Sequence, residues 1–479
     1  MTCAHARVSR LVVALFVASS LGACASPALE RPTASPAIVP SDWSQNYGLE
    51  NEIEVAGYWA LLGDPLIEAY VIQALAENRE IATARARLAQ ARAVLGGSRA
   101  RYSPRITAGT SAEKQFGDRA NSSVIGTLDA RLSWELDLFG RIGFDVAASQ
   151  AELRAQGASL ADIQRLISGA VARQVIATRG LASQLEIARG TLEVQDENLQ
   201  IATFRREAGL VSSRDVEQAR VLRSQTAAII PDLEGRLAAT ANAISVLIAQ
   251  PPGKVLDQVQ QTVDIPVPPN GVRFAPPARV LRNRPDIRRA EELLLADTAR
   301  IGIARAELLP TGRIDGLMGV TGPDIGSLFD LFTGSIIGSI SQLIFDGGRA
   351  RSNVEGAKAR AEASLAIWEQ SILTALEDVE TSSTLLRTTG RRVADLIAAR
   401  EAAAKAALLA REEYRAGLID FEALLIAENQ LLDIRTTLAG TKADHAIAFV
   451  DLTQALGGGW SEDQLQLALD DDETPEDMQ

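Results

Sequence analysis

One long pattern occurs twice in this chain. Residues 78–105 (NREIATARARLAQARAVLGGSRARYSPR) lie over 284–311 at a shift of 206, which sets Ile81 on Ile287 and Pro104 on Pro310. Farther on the shift is 208: Arg141 falls on Arg349, Gly209 on Gly417, Leu210 on Leu418 and Ala219 on Ala427. Near the end it reads as 206 again, with Ala249 on Ala455. A near-constant offset of this size means two copies of one large structural unit, not a short solenoid repeat. Each copy has the same order: an Ala-rich helix, a pair of strands, a very long helix, a Gly-marked reversal and a second helix.

The first copy opens with a helical pattern from Asp64 to Arg101, closed by Pro104. Then comes Thr127–Leu138 (TLDARLSWELDL), in which Leu128, Ala130, Leu132, Trp134, Leu136 and Leu138 alternate with polar residues without error. Period two puts every apolar side chain on one face and every charge on the other. A partner strand is expected over Arg105–Phe116. The second copy offers Arg313–Thr321 and a longer, blurrier strand, Leu331–Phe345, containing Gly334 and Gly338. Such alternation fits a half-buried strand of a soluble sheet. It fits equally a membrane β-strand, apolar toward lipid and polar toward a lumen, at about 9–11 residues per crossing. Four strands cannot close a barrel, since about eight are needed to enclose a filled interior. If they cross a membrane, several chains must share one barrel, because an open edge in lipid leaves backbone groups unpaired.

The helices are exceptionally long. No proline interrupts Phe144–Ala208 or Gly348–Ala416, so each could reach roughly 95–105 Å. Their high alanine content suits close helix packing, and rods of this length suit a tube across a wide aqueous compartment. Both end in a matched reversal. Gly209 stops the first rod, and Ser212 starts the next helix with Asp215 completing a capping box. Gly417 stops the second rod, and Asp420 is the expected N-cap. Leu210, Val211, Leu418 and Ile419 lie in these turns. Either they make the local apolar contact of a Gly-capped helix end, or they form a docking edge for a partner.

The N-terminus reads as a targeting segment. Arg7 and Arg10 precede an apolar run, Leu11–Ser20, which is too short for a permanent span. Leu21-Gly22-Ala23-Cys24 resembles a bacterial lipobox, so Cys24 is expected to carry lipid, and Ala25 behind it points to the outer membrane. Cleavage would take the formal charge from −13 to −15, by loss of Arg7 and Arg10, which argues against a nucleic-acid partner. It would leave one cysteine and one histidine, Cys24 and His445. That supply supports no disulfide, metal cluster or Cys-His centre, and neither a nucleophile elbow nor a phosphate loop is present. No enzyme activity and no cofactor beyond the lipid on Cys24 is expected.

These features are expected to divide the chain into a signal peptide (1–23), a lipidated extended segment (24–63), a first repeat (64–250), a Pro-rich connector (251–283), a second repeat (284–460) and an acidic tail expected to be disordered (461–479). Eight prolines fall between Pro251 and Pro285.

Five strings, in order along the chain, carry a family resemblance: Trp59 with Gly63-Asp64-Pro65-Leu66, Ser133–Arg141 (SWELDLFGR), Leu281–Glu291 (LRNRPDIRRAE), Gln342–Arg349 (QLIFDGGR) and Leu456–Trp460 (LGGGW). They resemble the TolC/OprM-like outer-membrane efflux factors, in particular the lipoprotein, NodT-type branch. The resemblance implies an α+β fold, mainly long α-helices in two structural repeats. It also implies a homotrimer, in which each protomer gives four strands to a shared twelve-stranded outer-membrane β-barrel and long helices to a periplasmic α-barrel. The function implied is passive efflux of small molecules, delivered by an inner-membrane pump, of RND type, through a periplasmic adaptor. The exit duct of a type I protein-secretion system and a lipid-anchored periplasmic coiled-coil protein are the alternatives. Leu128, Ala130, Leu132, Trp134 and Leu136 would then face lipid, and the turns Gly209-Leu210-Val211 and Gly417-Leu418-Ile419 would meet the adaptor. The helix after Gly417 would line a gate. Family members often carry an acidic residue where this chain has Ile426 and a basic one at Asn429. The expectation here is an apolar ring at Ile426 with an acidic ring at Glu422 one turn away, since residues four apart share a helix face. Glu428 lies nearby.

Overall fold

The computed structural model describes residues 39–44, 51–52, 56–114, 116, 124–260, 264–269, 272–273, 275–322, 331–463 and 465–466. Cys24 and the rest of the targeting segment, the 117–122 loop and all but the start of the acidic tail lie outside the described residues.

The main elements are α1 (Pro65–Glu77), α2 (Arg79–Ala100), β1 (Arg105–Lys114), β2 (Val124–Leu136), α3 (Arg141–Glu207) and α4 (Ser213–Leu247). A short α5 (Pro277–Asn283) follows, then α6 (Pro285–Ala306), β3 (Thr311–Gly322), β4 (Leu331–Ser341), α7 (Arg349–Ala416) and α8 (Phe421–Ala455). The repeat is written in these bounds. Helices α2 and α6 have 22 residues each, α3 and α7 have 67 and 68, and α4 and α8 have 35 each.

Three details differ from the sequence reading. The helical pattern from Asp64 to Arg101 is two helices, broken at Asn78. The Asn78 carboxamide oxygen accepts from the amides of Glu80 and Ile81, and its Nδ2 donates to the Leu247 carbonyl at 2.8 Å. The strands are also displaced: β1 stops at Lys114, β2 covers Val124–Leu136, and β4 stops at Ser341. Beyond β2, Asp137 turns to accept from the Ile142 and Gly143 amides at the start of α3. Finally, the offset at the repeat ends is 208, not 206. Both last helices finish in the same left-handed cap, at Ala249 (φ 56) and Gly457 (φ 85). In each, the next amide reaches back five residues, from Gln250 to Ser245 and from Gly458 to Thr453. Among its described residues the connector between the repeats holds α5, a helical turn at Leu256–Val259 and a two-residue strand, Val272–Arg273, paired in parallel with Asn51–Glu52.

The chain divides into two compact units, each built from corresponding parts of both repeats. The first takes Ala86–Gly157 and Arg288–Gln370; the second takes, among its described residues, 39–85, Ala158–Ile287 and 371–466. In the first unit the four strands form one antiparallel sheet in the order β1-β2-β3-β4. Beside the sheet, Ala151 of α3 packs on Leu295 and Ala296 of α6. A Cβ at Gly302 would collide with the Phe144 ring, so glycine permits this close helix approach. Asp297 holds α6 to α7 through Ser364 Oγ at 2.6 Å, and Arg300 bonds both Asp297 and Glu152.

In the second unit, α3 and α4 close around Leu181, Leu185, Leu233 and Leu237. A second cluster joins Val280, Val379, Leu452 and Leu456, with Trp43 against it and its Nε1 donating to the Ala275 carbonyl. Two buried arginines finish α8. Arg165 donates to the Gln454 carbonyl at 3.2 Å and Arg284 to the Ala455 carbonyl at 3.1 Å. These are among the last four carbonyls that a helix leaves without internal partners. Arg284 also forks onto Asp286 (3.1 and 2.6 Å) and reaches Asp378 (3.0 Å). The RNRPDIRRAE string is therefore a structural knot. Asp64 caps α1 and pairs with buried Arg179 at 3.1 Å, which gives the GDPL string a structural role too. His445 is half-buried, with Nδ1 3.0 Å from Thr389 Oγ1, and burial pushes its pKa below the ordinary imidazole value.

Candidate functional site

Two surfaces carry functional character, and the first is the sheet. Cross-strand partners share a face, so the pairing assigns every strand residue. One face carries Arg105, Thr107, Thr127, Asp129, Arg131, Ser133, Glu135, Arg313, Asp315, Thr333, Ser335 and Ser339. The other carries Leu128, Ala130, Leu132, Trp134 and Leu136, with Ile106, Ile314, Met318, Val320, Phe332, Ile336 and Ile340. β4 looks blurred in the sequence because Gly334 and Gly338 occupy apolar-face positions; Leu331 and Ile337 are its exceptions, and Leu317 of β3 also lies on the polar face.

A soluble sheet of this kind would bury its apolar face against the core. Here none of the named apolar-face residues is buried: half of them are half-buried, and Met318 is 54% exposed, Ile340 67% and Ile336 83%. β1 and β4 are exposed along their whole lengths, and each is an open edge. Near the ends of the strands the polar groups are fixed. Trp134 Nε1 donates to the Tyr102 carbonyl at 2.9 Å, and Arg141 forks onto Glu135 at 2.8 and 2.7 Å. Among the described residues no helix is long and apolar enough to cross a membrane.

The second surface is the pair of helix reversals. At Gly209 (φ 72) the Leu210 amide returns to the Arg205 carbonyl at 2.8 Å and the Gly209 amide to Arg206 at 2.9 Å. At Gly417 (φ 75) the Leu418 amide returns to Glu413 at 2.8 Å and the Gly417 amide to Tyr414 at 3.0 Å. Both are Schellman caps, which require the left-handed conformation that glycine adopts without strain. The Ser212–Asp215 capping box is formed, and Asp420 accepts from the Ala423 amide at 2.9 Å.

The four apolar turn residues divide. Ile419 packs on a cluster of Ala202, Val216, Ala219, Tyr414, Phe421 and Leu424, and Val211 is half-buried. Leu210 and Leu418 are 69% and 75% exposed, so neither is spent on a local contact. Along α8, Glu422, Ile426 and Asn429 are all exposed, whereas Phe421, Leu424 and Glu428 point inward.

The sequence alone assigns no role to the inward set. Glu428 is bonded to Asn198 Nδ2 at 2.6 Å and to Arg411 at 3.1 Å. Arg205 lies over the Tyr414 ring at 4.6 Å and donates to the Tyr414 carbonyl. The available signal was spacing: Glu428 falls four residues after buried Leu424, on the opposite side from Ile426.

A four-stranded antiparallel sheet whose large apolar side chains are not buried and whose two edges are open, with long paired helices ending in matched caps, defines a subunit of an oligomeric membrane β-barrel. Comparison with known proteins gives the family. The model of the outer membrane efflux protein family matches residues 71–250 and 277–458, once on each repeat. The chain is 31% identical over 425 residues to nodulation protein T of Rhizobium leguminosarum bv. viciae, covering 86% of each. It is 30% identical to outer membrane protein OprJ of Pseudomonas aeruginosa, over 94% of this chain and 96% of that protein. The solved structure of the outer-membrane channel OprN superposes with a TM-score of 0.83 at 30% identity, over 91% of this chain and 99% of that one.

The chain belongs to the outer membrane efflux protein family. It is an outer-membrane channel component of an efflux system, and its four strands are one third of a twelve-stranded barrel closed by three copies.

Proposed function

We propose that this channel is a passive duct, without a catalytic step or cofactor, that carries small toxic molecules out of the cell from an inner-membrane pump of RND type and its periplasmic adaptor. Cys24 would bear the lipid that anchors each chain, and the exposed turn residues at Gly209 and Gly417 would receive the adaptor. Kinship with proteins called efflux pump or lipoprotein outer-membrane components, such as TtgF of Pseudomonas putida and SilC of Salmonella typhimurium, supports this reading.

The observation that carries the gate is the one-sided exposure of Glu422, Ile426 and Asn429 on α8, beside a Glu428 that is already satisfied. Ile426 is 61% exposed, a large apolar side chain with no local partner to cover it. Three copies would place an apolar ring at Ile426 and an acidic ring at Glu422, a combination that restricts by dewetting and favours cations. Single-channel recordings of wild type and Glu422→Gln test this. Loss of cation preference in the variant is expected, and an unchanged selectivity rejects the acidic ring.

A further inference from the structure

The charges on the polar face of the sheet fall into rows set by the strand register. Arg105, Ser133 and Asp315 are neighbours in one row, and Glu135 and Arg313 are neighbours in the next. Each acid in and beside these rows already has a bonded partner. Glu135 takes the Arg141 fork at 2.8 and 2.7 Å, Asp315 accepts from Ser133 Oγ at 3.0 Å, and Asp129 holds Arg131 at 2.6 Å. Arg105 and Arg313 are exposed, and their guanidinium groups have no hydrogen-bond or ion partner among the described residues. Beside Arg105 lies a recess of about 660 Å³, whose polar lining is Arg105, Thr107, Arg131, Ser133, Asp315 and Ser335. That volume is in the range of small-molecule sites, about 300–1,000 Å³.

We propose that Arg105 and Arg313 form a basic ring in the lumen of the barrel, which binds carboxylate-bearing solutes on their way out. This rests on the reading of the chain as one third of a shared barrel with its polar face inward. It goes beyond that reading by giving the lumen a charge preference. Side-chain alternation decides where the two arginines point. Both stand on the face of Asp129, Ser133 and Ser339, so lipid headgroups outside the wall are not their counter-ions. Chemistry decides what they bind. A guanidinium presents a planar fork that meets a carboxylate through two parallel hydrogen bonds, and it keeps its charge throughout the working pH range. The hydroxyls of Thr107 and Ser335 add donors in the same recess.

Magnitudes favour an effect across the whole bore. Four arginines (Arg105, Arg131, Arg141 and Arg313) face three carboxylates (Asp129, Glu135 and Asp315) in these rows, which leaves one net positive charge per copy. Twelve strands about 4.8 Å apart, tilted by about 35–45°, give a backbone radius of about 11–13 Å. Screening at physiological ionic strength sets in over about 8 Å, and the side chains reach inward from the backbone. Walls of low dielectric focus the field further. Glu113 shares this face but stands eight residues along β1 from Arg105, about 27 Å away, beyond that screening length. The basic ring is therefore a filter of its own, opposite in sign to an acidic ring at Glu422.

Citrate, a small tricarboxylate, is the probe, applied to the full-length protein in planar bilayers. Added on the side to which the barrel opens, it should block the wild-type current carried by potassium chloride. Arg105→Gln with Arg313→Gln should raise the half-blocking concentration by about tenfold or more, the worth of one charge-assisted hydrogen bond. Glu422→Gln should leave it unchanged. If the double variant forms no trimers on a native gel, the two single variants are read instead, and each should weaken the block. Equal block of wild type and the arginine variants, or no block of wild type, overturns the ring. Block that is abolished by Glu422→Gln would belong to the gate and overturns it equally. A parent protein that forms no channels would remove the duct reading itself.

Discussion

Arg284 Nη1 donates to the carbonyl of Ala455, the last residue of α8, at 3.1 Å. The first repeat makes the same tie with a different residue. Asn78 Nδ2 donates to the carbonyl of Leu247, the last residue of α4, at 2.8 Å. Asn78 and Arg284 are equivalent at 206, Leu247 and Ala455 at 208. Each donor stands just before a 22-residue helix and satisfies a carbonyl that a helix C-terminus leaves free. The second copy has strengthened the tie with charge, which also favours the negative end of the helix dipole.

The two ties should differ in cost. Arg284→Ala leaves Asp286 without its forked partner and should lose about 3–5 kcal/mol, the range for breaking a buried ion pair. Asn78→Ala removes a neutral bond and a helix cap, a loss of about 1–2 kcal/mol. Urea midpoints of the detergent-solubilised protein would measure both. Equal losses would mean that the Asp286 and Asp378 contacts contribute little.

Acid should attack the same knot. Burial raises the pKa of Asp286, but hydrogen bonds and charge from Arg284, with Arg165 and the Ile287 amide, more than offset this and hold it below the usual carboxylate value. A carboxylate depressed in the folded state stabilises the fold above its unfolded pKa, about 3.9. That stability is lost as pH falls through the folded value. The urea midpoint of the parent should therefore decline below about pH 4, and Asp286→Asn should start lower but decline less. An equally steep acid limb in the variant would assign the loss to other groups.

How much of this was legible in the sequence depends on how local each cause is. The caps at Gly209, Ser212, Gly417 and Asp420 are set by neighbouring residues, and the alternation of β2 is its own evidence. The break at Asn78 is hidden by an apolar spacing that runs straight through it; Asn78 caps Glu80 and Ile81 locally, and its other tie is to a carbonyl 169 residues away. The apolar run continues to Phe345, beyond the end of β4, whose pairing with β3 stops at Ser341. Glu422 and Glu428 looked alike as acids near a gate; only the packing of Leu424 and Arg411 separates them.

Ala249 is the only non-glycine with positive φ among the described residues, and its counterpart is Gly457. A left-handed alanine costs about 1–2 kcal/mol, while glycine gives the unfolded chain an advantage of about 0.4–1 kcal/mol. Ala249→Gly should therefore stabilise the protein slightly, by under about 1.5 kcal/mol. The converse change should be worse than neutral, since a Cβ at Gly457 would lie 3.0 Å from the Asn283 carbonyl oxygen. Thermal unfolding of the two variants should move in opposite directions.

Leu210 and Leu418 can be separated from the fold that presents them. Because both are well exposed, Leu210→Asp and Leu418→Asp should change stability by no more than about 0.5 kcal/mol and leave trimers intact. Crosslinking to the periplasmic adaptor of the same efflux system should be lost. Retained crosslinking would reduce both leucines to ordinary residues of a helix cap.

Glu422 and Glu428 provide the sharpest internal comparison, because they are six residues apart on one helix and differ in what surrounds them. Glu422 is exposed with no partner fixing it among the described residues, so Glu422→Gln should alter ion selectivity and leave the unfolding midpoint where it was. Glu428 is buried between Asn198 and Arg411. In Glu428→Gln the amide oxygen can still accept from Asn198, but the charge facing Arg411 is gone. A charge-assisted hydrogen bond is worth about 1.5–3 kcal/mol, which sets the expected loss of stability. The first variant is read by reversal potential in a salt gradient and the second by urea titration. If Glu428→Gln shifted selectivity as much as Glu422→Gln, the lumen would reach the buried side of α8, and the assignment of its faces would be wrong.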